Sequence, residues 1–128
     1  MKIEIGGNEV HVATGGRLHE HGRPFVVFLH GAGNSHLTWV SQSRALAYDD
    51  NNVIAPDMPG HNLSLGDPLE SVEEQAQWYI ELLKALKCKD AVLVGHSQGG
   101  LIAMEIASKA PALVKGICFV ATAAASGV

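Results

Sequence analysis

Four short runs of apolar residues, separated by helix-like patterns, constrain the fold of this 128-residue chain more than any other sequence feature. The runs are residues 25–29, 53–55, 91–94 and 117–120. Continuous apolar runs of this length are typical of strands that are buried on both faces of a parallel sheet. Strands that alternate with helices build such a sheet with helices on both faces. The sequence therefore predicts a mostly parallel, doubly wound α/β fold.

The first residues of the chain predict an antiparallel hairpin. Ile3 and Ile5 alternate with charged residues, residues 6–8 are typical of a turn, and Val10 and Val12 resume the alternation. An alternating pattern of this kind indicates strands with one buried face. We therefore expect the hairpin to lie at one edge of the sheet.

Three helices are predicted between the apolar runs. The first is expected to be capped by Asn34 or Ser35. Its predicted apolar face consists of Leu37, Val40, Ala47 and Tyr48. The second begins at a capping box formed by Ser71 and Glu74. The third, at about residues 98–110, is apolar almost all round and is expected to be central and buried.

Composition excludes several classes of function. A hydrophobic content of 47% and a charged content of 17% are typical of one soluble globular domain at this length. A net charge of -4 disfavours nucleic acid and anionic membranes as partners. No apolar run approaches the ~20 residues that span a bilayer. The absence of a signal-peptide pattern and two thiols, Cys88 and Cys118, without metal-type spacing lead us to expect a cytoplasmic protein.

The strongest chemical signal lies between the third apolar run and the third helix. It is the sequence Gly95-His96-Ser97-Gln98-Gly99, a G-x-S-x-G pattern in a strand-to-helix context. A turn this tight needs glycine at its flanks, and the residue at its apex projects from the carboxyl edge of the sheet. Ser97 is thus a candidate nucleophile. The simpler alternative is a serine that only caps a helix, but a cap explains neither Gly95 nor Gly99.

A second glycine-rich turn follows the first apolar run. It reads His30-Gly31-Ala32-Gly33. Acyl transfer needs two preorganised N–H donors for the developing oxyanion, and the first turn offers only the N–H group of Gln98. The N–H group of Ala32 is the natural second donor. The alternative is an ordinary turn at the end of a strand.

A third motif, Pro56-Asp57-Met58-Pro59-Gly60-His61-Asn62-Leu63-Ser64, follows the second run. With the two turns above, it resembles the α/β-hydrolase fold family over essentially the whole chain. The resemblance implies Ser97 as nucleophile and the Ala32 and Gln98 N–H groups as oxyanion donors. It implies structural roles in turns and loops for Gly95, His96, Gly99, His30, Gly31, Gly33, Asp57, Gly60 and His61. Asn62 stands where the family usually has glycine, which affects only the detail of the loop.

The resemblance also shows what this sequence lacks. In the family the triad order is Ser, acid, His, yet after Ser97 the only carboxylate is Glu105 and no histidine follows. Seven histidines precede Ser97: His11, His19, His21, His30, His36, His61 and His96. The chain resembles strands one to six and helices A to C, so residues 1–128 are expected to form the N-terminal half of a hydrolase. The cap, the acid and the catalytic histidine would be absent.

Two interpretations remain open. In the first, the parent protein is a carboxylesterase- or lipase-like serine hydrolase, and this chain is inactive or feeble without its C-terminal half. In the second, the chain is a noncatalytic relative or a half-subunit that another chain completes. Either way, the apolar last strand would leave an open sheet edge that promotes self-association or binds the missing half.

Other classes of function are less well supported. The turn after the first run lacks the third glycine of a dinucleotide-binding fingerprint, which disfavours a Rossmann-type domain. The sequence His19-Glu20-His21 has no third partner at readable spacing, so no metal site is expected. No cofactor is implied. The apex serine disfavours epoxide hydrolases and haloalkane dehalogenases, which use a carboxylate there, but the sequence does not identify the ester-like substrate.

Overall fold

The computed structural model describes residues 1–30, 36–61 and 63–120. The described strands are β1 (Lys2–Ile5), β2 (Asn8–Ala13), β3 (Phe25–Leu29), β4 (Asn52–Pro56), β5 (Ala91–His96) and β6 (Val114–Val120). The described helices are α1 (Val40–Ala47), α2 (Val72–Ala85) and α3 (Gln98–Lys109), with 3-10 turns at His36–Trp39 and Pro111–Leu113. None of these helices is long and apolar enough to cross a membrane.

The described strands form one mixed sheet in the order β1-β2-β4-β3-β5-β6. β1 pairs with β2, and β2 with β4, in antiparallel orientation. The pairs β3–β4, β3–β5 and β5–β6 are parallel. The predicted parallel sheet with an antiparallel hairpin at one edge is therefore confirmed. Because β3, β4 and β5 run in the same direction, the segments that follow them meet at one edge of the sheet.

Helices cover both faces of the sheet, as a doubly wound fold requires. On one face, Val27 and Leu29 of β3 belong to an apolar cluster with residues of α2 and α3. On the other face, Val26 and Phe28 belong to a cluster that includes Trp39, which directly precedes α1. The alternation along β3 follows from the two-residue period of a strand. A strand buried on both faces must be apolar throughout, which explains the continuous runs in the sequence.

The N-cap predicted at Ser71 is present, but the return bond of the predicted capping box goes to Glu70 and not to the N-cap residue. Ser71 is the N-cap residue, and its hydroxyl accepts a hydrogen bond from the Glu74 N–H at 3.1 Å. In return, the Glu74 carboxylate accepts a hydrogen bond from the N–H of Glu70 at 3.1 Å. These bonds satisfy backbone donors that have no partner within the helix.

We expect Ser71→Ala to lower the free energy of unfolding by about 1 kcal/mol, because the Glu74 N–H loses its side-chain acceptor. Urea denaturation measures the change. Ser41→Ala in α1 is the matched control, since Ser41 is exposed and precedes no helix start. Equal stability of the two variants would contradict a capping role for Ser71.

The prediction of which face of α1 is buried is wrong. Leu37, Val40 and Tyr48 are about half exposed or more, and only Ala47 of that set is buried. The buried positions are instead Trp39, Ser43 and Ala47, spaced four residues apart. Trp39 fixes this rotation because its ring packs against Phe28 of β3, with ring centroids 5.1 Å apart. The predicted caps, Asn34 and Ser35, lie outside the described residues.

The expectation that α3 is buried all round is also wrong. Its Gly99, Gly100, Ile102, Ala103 and Ile106 are buried, but Leu101 and Met104 are 57% and 55% exposed. The neighbouring strand β6 forms the end of the described sheet, where Phe119 is 57% exposed and Cys118 is exposed. An apolar patch of Leu101, Met104 and Phe119 therefore lies on this side of the described chain.

Candidate functional site

Ser97 occupies the sharp turn between β5 and α3. Its backbone dihedrals are φ 56° and ψ -118°, and it is the only non-glycine residue of that turn with positive φ. Residues with a Cβ adopt such angles at a cost of about 1 kcal/mol or more, unless the surroundings hold them there. The Ser97 side chain is exposed and makes no capping hydrogen bond to α3. The local geometry therefore presents the hydroxyl to solvent rather than to the helix.

Two glycines make this turn possible. A Cβ at Gly95 would lie 2.6 Å from the Gly100 backbone nitrogen, closer than real Cβ contacts. A Cβ at Gly99 would overlap the carbonyl oxygen of Leu29, the last residue of β3. The first turn of α3 consequently lies directly against the carboxyl end of β3. This contact brings Ser97 and the segment after β3 to the same edge of the sheet.

The segment after β3 begins with His30, which is fully buried. Its Nε2 atom accepts a hydrogen bond from the N–H of Met58 at 3.0 Å, so this ring nitrogen carries no proton. The bond ties the end of β3 to the loop that follows β4. Gly31, Ala32 and Gly33 lie outside the described residues, and the second oxyanion donor predicted at Ala32 stays a prediction.

The loop after β4 is held by buried polar contacts. Asp57 is fully buried, and its Oδ2 accepts a hydrogen bond from Leu63 N–H at 3.3 Å. Its carbonyl oxygen accepts a hydrogen bond from the Ser64 hydroxyl at 2.6 Å. Gly60 has φ +75°, and a Cβ there would lie 2.7 Å from Pro68. These contacts fix the conformation of the loop that follows β4. Asn62 lies outside the described residues.

Two histidines of the motifs around the site, His96 and His61, make ring contacts and hydrogen bonds within the described residues. The ring of His96 packs edge-on against Trp39, with centroids 5.7 Å apart. His61 donates from Nδ1 to the carbonyl oxygen of Pro59 at 3.0 Å, and its ring lies 5.2 Å from that of His30. These contacts hold the His96 ring against Trp39 and the His61 ring against His30.

Sequence reasoning missed two polar residues of α2 that lie beneath the turn. The Gln98 side-chain amide donates to Oε1 of Gln75 at 3.4 Å, and Gln75 is buried. One helical turn later, the buried hydroxyl of Tyr79 lies beside the backbone of His30. Tyr79 belongs to the predicted apolar set of α2, whereas Gln75 is a polar residue one turn earlier among buried positions, which is the signal that could have identified it.

Raising the pH above about 9 is expected to destabilise the fold. Burial, with a smaller contribution from the Asp90 carboxylate, raises the pKa of the Cys88 thiol from 9.0 to about 11. Burial also raises the pKa of Tyr79, with Asp57 adding to the shift. Both groups are neutral when protonated, and burial disfavours their charged forms. As the pH rises, the unfolded chain therefore loses these protons before the folded chain does. Their stabilising contribution is complete below the unfolded pKa and disappears as the pH rises through the folded value.

Urea unfolding midpoints measured from about pH 8 to pH 11 test this expectation. Cys88→Ala should flatten the decline, whereas Cys118→Ala should leave it unchanged because Cys118 is exposed. Identical profiles for the two variants would contradict the assignment to Cys88.

Within the described residues, no group of three His, Cys, Asp or Glu side chains could hold a metal ion. His19 donates from Nε2 to the carbonyl oxygen of Val53 at 2.7 Å, and Glu20 forms an ion pair with Arg23. His19 and Glu20 of the His19-Glu20-His21 sequence therefore have protein partners.

Known proteins resemble this chain in sequence and in structure. A family model described as the alpha/beta hydrolase family matches residues 26–128. An epoxide hydrolase of Caballeronia sordidicola is 37% identical over 126 residues, which cover 90% of this chain and 37% of the relative. Esterase YbfF of Escherichia coli is 32% identical over 94 residues, covering 71% and 35% of the two chains. A solved structure, Est816, described as an N-acyl homoserine lactone degrading enzyme, matches with a TM-score of 0.80 at 31% identity.

The match to Est816 covers 94% of this chain and 44% of that one. The chain likewise spans about a third of the length of the curated relatives it matches. The similarity nevertheless covers most of this chain in both sequence and structure. The chain therefore belongs to the alpha/beta hydrolase family.

Proposed function

We propose that this chain is the nucleophile-bearing part of a serine hydrolase that cleaves an ester or related acyl bond. The observation that carries the proposal is the state of Ser97, which is exposed, has positive φ and makes no capping bond to α3. A serine that merely capped the helix would direct its hydroxyl to an N–H of the first turn. A nucleophile instead needs an accessible hydroxyl at the carboxyl edge of the sheet.

The proposed reaction proceeds through an acyl-enzyme. The Ser97 hydroxyl oxygen attacks the carbonyl carbon while a general base accepts its proton. The N–H groups of Gln98 and Ala32 stabilise the negative charge on the carbonyl oxygen. The leaving alcohol takes up a proton as its bond to the acyl carbon breaks, and water then releases the acid from Ser97. The contact between Gln75 and Gln98 supports a fixed position for the first of these donors.

The identity of the apex residue favours an acyl substrate. A serine attacks a carbonyl carbon and forms an acyl-enzyme, whereas the epoxide hydrolases and haloalkane dehalogenases of this fold use a carboxylate at that position. The relatives include both an epoxide hydrolase and an esterase. A serine at the apex agrees with the activity of the esterase rather than with that of the epoxide hydrolase. We therefore place carboxylesters and lactones ahead of epoxides as test substrates.

The general base and its acid partner are proposed to come from a further part of the same hydrolase. Glu105 is the only carboxylate after Ser97 and no histidine follows it, while the relatives are two to three times as long as this chain. The exposed patch of Leu101, Met104 and Phe119 beside β6 is a suitable contact for that part. On this proposal residues 1–128 form one folding unit with the missing half.

The isolated 128-residue chain is accordingly expected to self-associate through the side of the sheet at β6. Sedimentation velocity should show a molecular mass that rises with concentration. Phe119→Lys should reduce the association because it places a charge in the exposed patch. A monomeric protein at every concentration would contradict self-association through β6.

Intact-mass analysis of the protein from its native source, with and without a fluorophosphonate probe, tests the proposed function. We expect a mass well above 13.5 kDa and a single adduct that peptide mapping assigns to Ser97. Heat-denatured protein is the control and should not react. A protein of 13.5 kDa that forms no adduct would overturn the hydrolase proposal. It would favour the noncatalytic alternative, in which the side of β6 binds another protein.

A cytoplasmic location is part of the same proposal. It is supported by two cysteines that form no disulfide, of which Cys88 is buried. Cell fractionation with an antibody against the chain tests it, and recovery outside the cytoplasm would overturn it.

A further inference from the structure

We infer that the edge of the sheet opposite Ser97 carries a second binding site, which takes a small phosphate-bearing anion. The site is a cavity of about 400 Å³ where β3, β5 and β6 begin. Its lining includes Arg23, Phe25, Lys87, Lys89, Asp90 and Lys115. Ser97 follows the other end of β5, so the length of that strand, roughly 20 Å, separates the two sites. The inference does not depend on the proposed hydrolase activity.

Charge is the first argument for an anionic ligand. Lys87, Lys89 and Lys115 converge on the cavity from two separate segments. Within the described part of the chain, none of the three ammonium nitrogens lies within 4.0 Å of a carboxylate oxygen. Asp90 is the one acidic residue of the lining. The lining is thus cationic in a chain whose net charge is -4, so the positive charge is local rather than general.

Arg23 contributes in a different way. Its guanidinium forms an ion pair with Glu20 and lies 4.0 Å from Asp50, so most of its charge is already balanced. Its Nη1 atom is buried and makes no hydrogen bond to the described residues. Arg23 therefore serves mainly to build the wall of the cavity, and the three lysines supply the charge that an anion would meet.

The conformation of Lys87 is the second argument. Lys87 follows the last turn of α2 with φ 58°, and the next N–H, from Cys88, donates to the Leu83 carbonyl at 2.9 Å. This is the helix-ending motif in which glycine is the usual residue at the left-handed position. A lysine there costs stability relative to glycine. Its presence is explained if the ammonium group has a role at the cavity that glycine could not fill.

The size and shape of the cavity define the class of ligand. A volume of about 400 Å³ lies within the range of small-molecule sites and suits a phosphate or diphosphate group with a small organic part. Phe25 and Pro24 supply apolar wall for that part. The lysines come from two separate segments and line one cavity, and the rest of the chain is acidic. Both features favour a compact anion over a polyanionic chain.

Calorimetric titration of the protein with inorganic pyrophosphate tests the inference. We expect saturable binding that weakens as salt is added. The double variant Lys89→Gln/Lys115→Gln should bind about tenfold more weakly or worse. Lys109→Gln is the matched control, because Lys109 is exposed at the end of α3 and does not line the cavity. Sulfate at the same concentration should not displace the pyrophosphate, and displacement would overturn the assignment to a phosphate-bearing ligand.

Lys87→Gly separates a binding role from a structural one. If Lys87 serves the cavity, this variant should unfold at higher urea concentration because the strain is relieved, and yet bind pyrophosphate more weakly. Unchanged binding by Lys87→Gly would contradict a role for the Lys87 ammonium group at the cavity. No saturable binding by the unaltered protein, or equal weakening by Lys109→Gln, would overturn the inference.

Discussion

Replacing Ser97 with alanine is expected to reduce ester hydrolysis by the protein that carries this sequence at least about 10³-fold. The exposed hydroxyl at the β5–α3 turn is the proposed nucleophile, and no acyl-enzyme can form without it. The residual rate would come from oxyanion stabilisation and binding alone. Because the side chain makes no capping bond, the same substitution should change the unfolding midpoint very little.

The measurement is kcat/KM for a chromogenic short-chain ester, with thermal unfolding recorded in parallel. Ser108→Ala is the matched control, since Ser108 is an exposed serine of the same helix. The isolated 128-residue chain should turn over barely or not at all, because no histidine follows Ser97. An ordinary enzymatic rate from the isolated chain that Ser97→Ala abolishes would mean that an upstream histidine acts as the base. Full activity in the Ser97→Ala protein would end the nucleophile assignment.

The second large effect concerns the packing of the turn itself. Gly99→Ala is expected to destabilise the fold by about 3 kcal/mol or more. The added methyl group would overlap the carbonyl oxygen of Leu29, and backbone cannot move aside as a flexible side chain can. Relief would require α3 to separate from the end of β3, which would also displace Ser97.

Gly116→Ala in β6 is the matched control, because a Cβ there meets nothing within 4 Å. It should be neutral or slightly stabilising, since alanine loses less conformational entropy than glycine on folding. Urea denaturation of both variants gives the comparison. If the two substitutions lower the free energy of unfolding equally, the close approach of α3 to β3 does not exist in solution.

Much of the fold could be predicted because its signals are local. A strand buried on both faces must be apolar throughout, which identifies β3 and β5. The cap of α2 needs only Ser71 and Glu74, whose side chains bond to backbone within a few residues. At the turn that holds Ser97, a Cβ at Gly95 would clash with the backbone of Gly99 and Gly100. Each of these features depends on residues that are neighbours in the sequence.

Features that depend on distant contacts could not be predicted. The packing of Trp39 against Phe28 sets the rotation of α1 about its axis. The apolar residues of α1 therefore predicted the wrong buried face. Leu101 is exposed on a helix that packs beside β6, the last strand of the described sheet, and the pattern of α3 alone does not encode that position. For the candidate site, the sequence singled out Ser97 as the possible nucleophile but did not reveal the polar pair of Gln75 and Gln98 beneath it.

The sequence by itself therefore determined the order and type of the main elements and the turn at the candidate nucleophile. Hydrophobic patterning and the steric contact of Gly95 with Gly100 act over a few residues, and both can be read along the chain. Only the tertiary structure decided which ring His96 contacts and which lysines share the cavity opposite Ser97. Those arrangements arise when strands that are far apart in sequence become neighbours in one sheet, and a local pattern carries no record of that pairing.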